Sequence, residues 1–186
     1  MNRLQAIKII IDNLVGDELI VNANGAISRE SFFCKDRKEN FYLLGSMGLP
    51  ASVGLGIAVT RPERKVIILD GDGNVLMGFG NLALIGALKP QNLVHIVLDN
   101  QAYGTTGNQP TISSKIFLDR IALASGYRSS CCVETEVELP GRFSESLAQL
   151  GPHFIQVNVT REVIRKCNRI PYSAPQIKER FKNCLL

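Results

Sequence analysis

Two polar side chains, Asp72 and Asn100, each follow a short, mostly apolar run and together could bind a divalent cation. The runs cover residues 66–69 and 93–98. The separation between the two side chains accommodates one helix and one return strand, so both can lie at the same edge of a parallel sheet. Their oxygens, a backbone carbonyl, two diphosphate oxygens and water would form an octahedral set suited to Mg²⁺.

Glycines on both sides of Asp72 indicate a ligand-binding turn. Gly71 and Gly73 allow the backbone to approach a ligand closely. A helix beginning near Asn74 would present free amides and a dipole that attract phosphate. For the Gly-Asp-Gly segment alone, the alternative is a plain strand-to-helix turn in which Asp72 caps the helix. The combination with Asn100 favours a metal–diphosphate site.

The composition predicts one globular domain over residues 1–186. Of these residues, 45% are hydrophobic and 20% are charged, as in ordinary globular proteins. No uncharged apolar run approaches the roughly 18 residues that cross a bilayer, so we expect no signal peptide and no membrane segment. The five cysteines lack a CxxC spacing, which favours free thiols in a reducing cytoplasm.

The net charge of +4 is concentrated in a basic C-terminal tail, residues 161–186, which holds seven basic and two acidic residues. The tail lacks interleaved aromatic residues and any recognisable nucleic-acid motif. We therefore interpret it as a solvated or partner-docking segment and expect no nucleic-acid partner. The alternative, nucleic-acid binding through this tail, would give an affinity that falls steeply with salt.

Hydrophobic periodicity predicts alternating helices and strands. The predicted strands are residues 18–22, 65–69, 93–98, 129–133 and 154–159. The predicted helices are residues 4–15, 49–59, 75–88, 115–124, 142–150 and a short terminal helix after residues 170–175. This alternation is typical of an α/β fold with a doubly wound, mostly parallel sheet and helices on both faces. Such sheets bind their ligands at the carboxyl edge.

The Gly71-Asp72-Gly73 segment followed by Asn100 resembles the cofactor motif of thiamin diphosphate enzymes. The resemblance implies that Mg²⁺ is bound by the side chains of Asp72 and Asn100 and by the carbonyl of Ala102. It implies a thiamin diphosphate-binding fold. The cofactor-binding residues that it implies are Gly45, Ser46, Met47, Gly71, Asp72, Gly73, Asn74, Asn100, Ala102 and Tyr103.

Residues 45–48, Gly-Ser-Met-Gly, resemble the segment that shapes the cofactor in these enzymes. By this resemblance, Met47 is the large apolar residue that lies under the cofactor and enforces its bent shape. The carbonyl of Gly45 would bind the aminopyrimidine. Without the downstream motif, ordinary core packing would be preferred for Met47.

A closer resemblance is to the sulfopyruvate and phosphonopyruvate decarboxylases, in residues 28–30, 40–42, 45–48, 69–73, 97–100 and 103–111. There are two departures from that pattern. Ile27 stands where relatives usually carry a small hydroxyl residue near the diphosphate, and Ser28 could substitute for it. Asn108 replaces a common glycine.

The resemblance covers only the diphosphate-binding half of such an enzyme. It implies a beta subunit in a hetero-oligomer that also self-associates. A separate alpha subunit would carry the pyrimidine-binding domain and the catalytic glutamate, with the active site between the chains. The separately encoded arrangement favours a lyase that converts sulfopyruvate to sulfoacetaldehyde and CO2 in coenzyme M biosynthesis. The alternatives are a half-enzyme for phosphonopyruvate or another 2-oxo acid, and a non-catalytic cofactor-binding regulatory subunit.

The loop of residues 103–111 is the candidate substrate loop. Thr105, Thr106 and Gln109 could contact the carboxylate or sulfonate of an anionic 2-oxo acid, and the loop's glycines fit a lid. The alternative is a structured connection without substrate contact. His95 lies inside a predicted buried strand, and we expect it and His153 to be structural.

Overall fold

A computed structural model describes residues 1–161 and 167–185, and its centre is a sheet of six parallel strands in the order β2-β1-β3-β4-β8-β7. A separate two-stranded antiparallel ladder is formed by β5 and β6. The strands are β1 (Leu19–Asn22), β2 (Asn40–Tyr42), β3 (Val66–Gly71), β4 (Leu93–Asp99), β5 (Ala102–Tyr103), β6 (Gln109–Pro110), β7 (Ser129–Val133) and β8 (His153–Asn158).

Eight α-helices and one 3₁₀ helix, Ile112–Lys115, connect the strands in the described part of the chain. The α-helices are α1 (Arg3–Asp12), α2 (Ala26–Cys34), α3 (Pro50–Thr60), α4 (Asp72–Met77), α5 (Gly80–Leu88), α6 (Leu118–Ser125), α7 (Glu138–Ala148) and α8 (Ala174–Lys182). None of these helices is long and apolar enough to cross a membrane.

The predicted doubly wound fold is confirmed, because helices cover both faces of the sheet. On one face, α1, α2 and α7 contribute Ile7, Ile27 and Phe143 to one buried cluster. On the other face, α3, α5, α6 and α8 form a second cluster that includes Leu55 and Ile85. All residues of β1, β3 and β4 are buried, as expected of parallel strands that are covered on both faces.

Two elements near the N-terminus, α2 and β2, were not predicted from periodicity. The strand β2 has only three residues, too few for an alternating pattern. The helix α2 has no side-chain cap, since its N-cap is Gly25 with a φ of 82°. Of the predicted basic tail, residues 162–166 and 186 lie outside the described residues.

The prediction of one continuous helix over residues 75–88 was wrong, because the helix is interrupted between α4 and α5. At the break, the backbone of Gly78 lies against the carbonyl of Gly48 and leaves no room for a Cβ atom. The Asn81 side chain also donates to that carbonyl at 3.4 Å. The break therefore lets residues 45–48 pack closely against the turn that follows β3.

Two other helix boundaries also differ from the prediction. The predicted helix over residues 115–124 is a 3₁₀ helix, Ile112–Lys115, followed by α6. The helix predicted at residues 142–150 begins earlier, at Glu138, and ends at Ala148. Both shifts concern helix ends, where amphipathic periodicity carries little information.

Gly86 in α5 lies against the C-terminal end of α6 and provides a test of how these two helices pack. A Cβ atom at Gly86 would meet the carbonyl of Ser125, whereas a Cβ atom at Gly80 in the same helix would meet nothing within 4 Å. We expect Gly86→Ala to lower the free energy of unfolding by about 1–3 kcal/mol, as overpacking does. The matched control, Gly80→Ala, should be neutral or stabilise by about 0.5–1 kcal/mol. Urea unfolding of both variants measures this, and equal effects would contradict the packing account.

Candidate functional site

A cleft lies at the carboxyl edge of β1, β3 and β4, where the sequence placed the ligand site. Ten of the thirteen residues predicted for the site line this cleft. They are Met47, Gly71, Asp72, Gly73, Asn74, Asn100, Ala102, Tyr103, Thr105 and Thr106. The remaining lining residues are Arg3, Asn24, Ala26, Ile27, Leu98 and Gly104. Because β3 and β4 pair in parallel, the turns after them share one edge of the sheet.

Three predicted site residues lie outside the cleft lining. Gly45 and Ser46 are exposed and line an adjacent apolar groove together with Leu44 and Leu49. Gln109 is also exposed. Their proposed contacts with cofactor or substrate therefore stay predictions.

Asp72 is the carboxylate at the base of the cleft. It follows β3 directly as the first residue of α4, rather than preceding a helix that begins at Asn74, and only 2% of it is exposed. Its Oδ2 accepts hydrogen bonds from the hydroxyls of Thr111 at 2.5 Å and Ser113 at 3.3 Å. Neither hydroxyl residue is predicted by the sequence as a partner of Asp72. The only signal for them was the place of Thr111 at the end of the resembling loop.

The pKa of the Asp72 carboxyl is raised to about 6: burial and the nearby carboxylate of Asp99 raise it, and hydrogen bonds from Thr111 and Ser113 partly offset this. Among the described residues, no Lys, Arg or His side chain forms an ion pair with Asp72. The negative charge is thus uncompensated by its described neighbours, which is what a divalent cation would correct.

Asn100 and Ala102 supply the other oxygens predicted for the metal. The Asn100 Oδ1 accepts a hydrogen bond from the Ala102 amide at 3.1 Å, and Gln101 between them has a φ of 58°. Residues other than glycine rarely adopt this left-handed backbone conformation, and such conformations cluster at functional sites. Arg161 donates to the carbonyl of Asn100 at 3.2 Å. A carboxylate, an amide oxygen and a carbonyl on one cleft therefore fit the preference of Mg²⁺ for oxygen ligands.

Asp99 stabilises this turn. Its Oδ1 accepts from the Gln101 amide and from the Ser113 hydroxyl, both at 2.9 Å. Its Oδ2 accepts from the Gln156 side chain at 2.9 Å. Asp99 and Asp72 thus share Ser113, which couples the turns after β3 and β4.

Met47, Gly73 and Tyr103 come together as one surface of the cleft. A Cβ atom at Gly73 would lie 2.6 Å from the Tyr103 ring and 3.1 Å from Met47 Cε, so only glycine fits there. The backbone amide of Gly48 donates to Asn74 Oδ1 at 2.9 Å. The side chain of Asn74 therefore ties the segment that contains Met47 to the turn after β3.

The candidate substrate loop is a short antiparallel ladder in which Tyr103 pairs with Gln109. Thr106 donates to Gln109 Oε1 at 2.8 Å, so these two predicted substrate contacts bind each other. Asn108 has a φ of 60°, in the left-handed region that glycine and asparagine tolerate best. This conformation explains why asparagine can replace the glycine that is common in the resembling proteins.

Ser28, expected from the sequence as a replacement for the hydroxyl that Ile27 lacks, is not placed for this role in the structure. The Ser28 hydroxyl hydrogen-bonds to the backbone carbonyls of Asn22 and Leu43, each at 3.2 Å, and Ser28 does not line the cleft. The hydroxyl is directed toward these carbonyls because it is buried between β1 and the segment after β2.

Both histidines are buried and hydrogen-bonded, as predicted. The ring of His95 contacts Asp70 Oδ2 at 3.3 Å and the Tyr127 hydroxyl at 3.0 Å. His153 Nδ1 pairs with the Ser129 hydroxyl at 2.7 Å, and burial lowers the pKa of the imidazole. All five cysteines are free, as expected.

The fold and the cleft define an α/β domain with a cleft at the carboxyl edge of its sheet, and the oxygen donors that line this cleft fit a divalent cation. Residues 30–157 match the family described as "Thiamine pyrophosphate enzyme, C-terminal TPP binding domain". The fold is also similar to that of a solved 4-hydroxybenzoylformate decarboxylase from Rhodococcus jostii RHA1. The TM-score is 0.73 at 22% identity, over 86% of this chain and 33% of that chain.

Curated relatives have higher sequence identity. The "Sulfopyruvate decarboxylase subunit beta" of Methanocaldococcus jannaschii is 39% identical, over 98% of this chain and 96% of that protein. The phosphonopyruvate decarboxylase of Streptomyces viridochromogenes is 37% identical, over 97% of this chain and 45% of that protein. The sulfopyruvate decarboxylase of Methanosarcina acetivorans is 38% identical, over 91% of this chain and 43% of that protein. The chain thus spans less than half of the longer relatives.

The chain therefore belongs to the thiamin diphosphate enzymes, within the group that contains the sulfopyruvate and phosphonopyruvate decarboxylases. It corresponds to the C-terminal, cofactor-binding domain of those enzymes. The resemblance inferred from residues 71–73 and Asn100 is confirmed at the level of the family.

Asp72→Asn should stabilise the chain in the absence of divalent cations, in a pH-dependent way. The pKa of Asp72 is raised from 3.8 to about 6, so its favourable contribution is complete below pH 3.8 and is lost as the pH rises through 6. An amide avoids this loss. The stability difference between variant and wild type should therefore grow between pH 4 and pH 7, to about 1–3 kcal/mol.

Urea unfolding from pH 4 to pH 8 in EDTA measures this difference. Asp12→Asn, at an exposed position, serves as a control for the same chemical change on the surface. A stability difference for Asp72→Asn that does not vary with pH would contradict the assignment of a buried, uncompensated carboxylate.

Proposed function

We propose that this chain is the cofactor-binding subunit of a thiamin diphosphate- and Mg²⁺-dependent decarboxylase that acts on sulfopyruvate. The observation that carries the proposal is its match to a separate beta subunit along 96% of that protein's length, at 39% identity. The longer relatives contain more than twice the length that this chain covers. A second chain of similar size would supply the missing part.

In this proposal the cleft binds the cofactor through the residues that the structure brings together. Asp72, Asn100 and the carbonyl of Ala102 would hold Mg²⁺, which would neutralise charge on the diphosphate. Met47 lies beside Gly73 and Tyr103 and supports the cofactor from below. When bound, thiamin diphosphate supplies the electron sink for removal of CO2 from a 2-oxo acid.

Thr105 and Thr106 are the proposed substrate contacts of this chain. Both are exposed and line the cleft, so their hydroxyls could hydrogen-bond to a carboxylate or a sulfonate. Gln109 would take part only if its hydrogen bond with Thr106 is replaced. The alpha subunit would contribute the pyrimidine-binding domain, the catalytic glutamate and the remaining contacts.

Phosphonopyruvate is the second candidate substrate. A phosphonopyruvate decarboxylase is 37% identical to this chain, against 39% for the sulfopyruvate decarboxylase beta subunit. Chain length alone does not separate the two substrates, because one sulfopyruvate decarboxylase is also more than twice as long as the matched region. The substrate therefore has to be decided by measurement.

Turnover of sulfopyruvate and phosphonopyruvate, with thiamin diphosphate and Mg²⁺, tests the proposal. We expect the chain alone to be nearly inactive, since it lacks the partner's glutamate. Co-expression with the proposed alpha chain should give activity that favours sulfopyruvate. High turnover by the isolated chain would contradict the two-chain proposal, and a preference for phosphonopyruvate would contradict the substrate.

Met47→Ala should reduce the turnover of the assembled enzyme at least tenfold while Mg²⁺-dependent cofactor binding persists. The reason is that Met47 would shape the cofactor without holding the metal. Met77→Ala is the matched control, because Met77 is 64% exposed and does not line the cleft. Activity and calorimetric binding of cofactor measure both effects. Wild-type turnover in Met47→Ala would mean that this side chain is ordinary packing.

A further inference from the structure

Arg3 lies at the cleft although it is remote in sequence from every motif. Because α1 leads to the start of β1, its first residue must lie at the opposite, carboxyl edge of the sheet. A hydrogen bond from the Thr160 amide to the carbonyl of Met1, at 3.0 Å, fixes this end of the chain beside the end of β8. A capping box formed by Asn2 and Gln5 also fixes the first turn of α1.

A buried carboxylate holds the Arg3 guanidinium in one orientation. The Arg3 Nε and Nη2 atoms donate to the two carboxylate oxygens of Glu30, both at 2.7 Å. The side chains are 9% and 2% exposed. Arg3 lines the cleft and Glu30 does not, so the positive end of this ion pair faces the cleft.

The ion pair uses only part of the hydrogen-bonding capacity of Arg3. A guanidinium has five N–H donors, and two of them donate to Glu30. Among residues 1–161 and 167–185, no acceptor is described for the Nη1 atom. Because Arg3 lines the cleft and has N–H donors that Glu30 does not use, it can donate to an acceptor that enters the cleft.

Among the described residues, α2 contributes no hydroxyl and no charged side chain to the cleft lining, since only Ala26 and Ile27 of this helix line it. Ile27 replaces the hydroxyl residue, and its Cδ1 would lie 3.4 Å from a Cβ atom at Gly71, directly beside the turn after β3. The Ser28 hydroxyl is directed elsewhere. Arg3 and Asp72 are the charged residues among those described as lining the cleft, and Arg3 alone is positive.

We propose that Arg3 is a cationic ligand of the cofactor's diphosphate, oriented for this by Glu30. This inference rests on the proposed function, since it assumes that a diphosphate occupies the cleft. A guanidinium presents paired N–H donors that match phosphate oxygens. Arg3 would thus supply from α1 the contact that Ile27 cannot make from α2.

The competing explanation is that the Arg3–Glu30 pair only holds α1 against α2. A purely structural pair predicts that any variant of either residue weakens cofactor binding in proportion to its loss of stability. If Arg3 binds the diphosphate, substitutions of the two residues should have opposite effects on cofactor affinity. Removal of the Glu30 charge leaves the positive charge of Arg3 uncompensated, whereas removal of Arg3 leaves no positive charge for the diphosphate.

The experiment is calorimetric titration of the chain, assembled with its proposed alpha subunit, with thiamin diphosphate and Mg²⁺, together with a thermal melt of each variant. The double variant Arg3→Met, Glu30→Met removes both charges and leaves no unpaired buried ion. We expect it to fold and to bind thiamin diphosphate at least tenfold more weakly than the wild type. Glu30→Gln should bind as tightly as the wild type or more tightly. Arg180→Met, which breaks an ion pair with Asp36 outside the cleft, should bind like the wild type.

Wild-type affinity in the folded double variant would overturn the inference and leave the proposed function intact. A wild-type assembled enzyme that does not bind thiamin diphosphate with Mg²⁺ would instead overturn both. If the variants do not fold, ¹⁵N NMR of the wild-type chain decides, because the Arg3 Nε–H resonance must shift on addition of thiamin diphosphate and Mg²⁺. An Arg3 resonance that does not move would overturn the inference.

Discussion

The candidate site depends on the parallel pairing of β3 with β4. Gly71 lies opposite Leu98 in this register, so the residues that follow each strand emerge side by side. Asp72 and Asn100 then need no long loop to meet, since neighbouring strands are only about 5 Å apart. Strands buried on both faces keep this register, because a slip of one residue would exchange the side chains between two different cores.

Around Asp72 and Asn100, a network of hydrogen bonds positions buried polar side chains that would be unfavourable in an apolar core without partners. Ser113 hydrogen-bonds to both Asp72 and Asp99, and Gln156 hydrogen-bonds to Asp99 from the neighbouring strand β8. Asp72 nevertheless remains a buried carboxylate with a raised pKa. Binding sites commonly retain such unfavourable groups, because the ligand supplies the missing interaction.

In the proposed function the cleft is only part of an active site, which agrees with the lengths of the relatives. The phosphonopyruvate decarboxylase is more than twice as long as the matched region, whereas the archaeal beta subunit matches along nearly its whole length. Exposed residues at the rim, such as Leu44 and Leu49 in the adjacent apolar groove, would be covered in an assembly. This chain therefore contributes the metal and diphosphate end of the proposed site.

The sequence by itself determined the alternation of elements, the sheet class and the ligand turn at Asp72 and Asn100. These follow from local patterns: buried strands are apolar runs, and ligand turns carry glycine next to oxygen donors. Only the tertiary structure decided that Thr111 and Ser113 hold Asp72, that the Ser28 hydroxyl is directed away from the cleft, that the helix breaks at Gly78, and that Arg3 reaches the cleft. Each of these depends on contacts between segments distant in sequence, and such contacts leave no periodic signal along the chain.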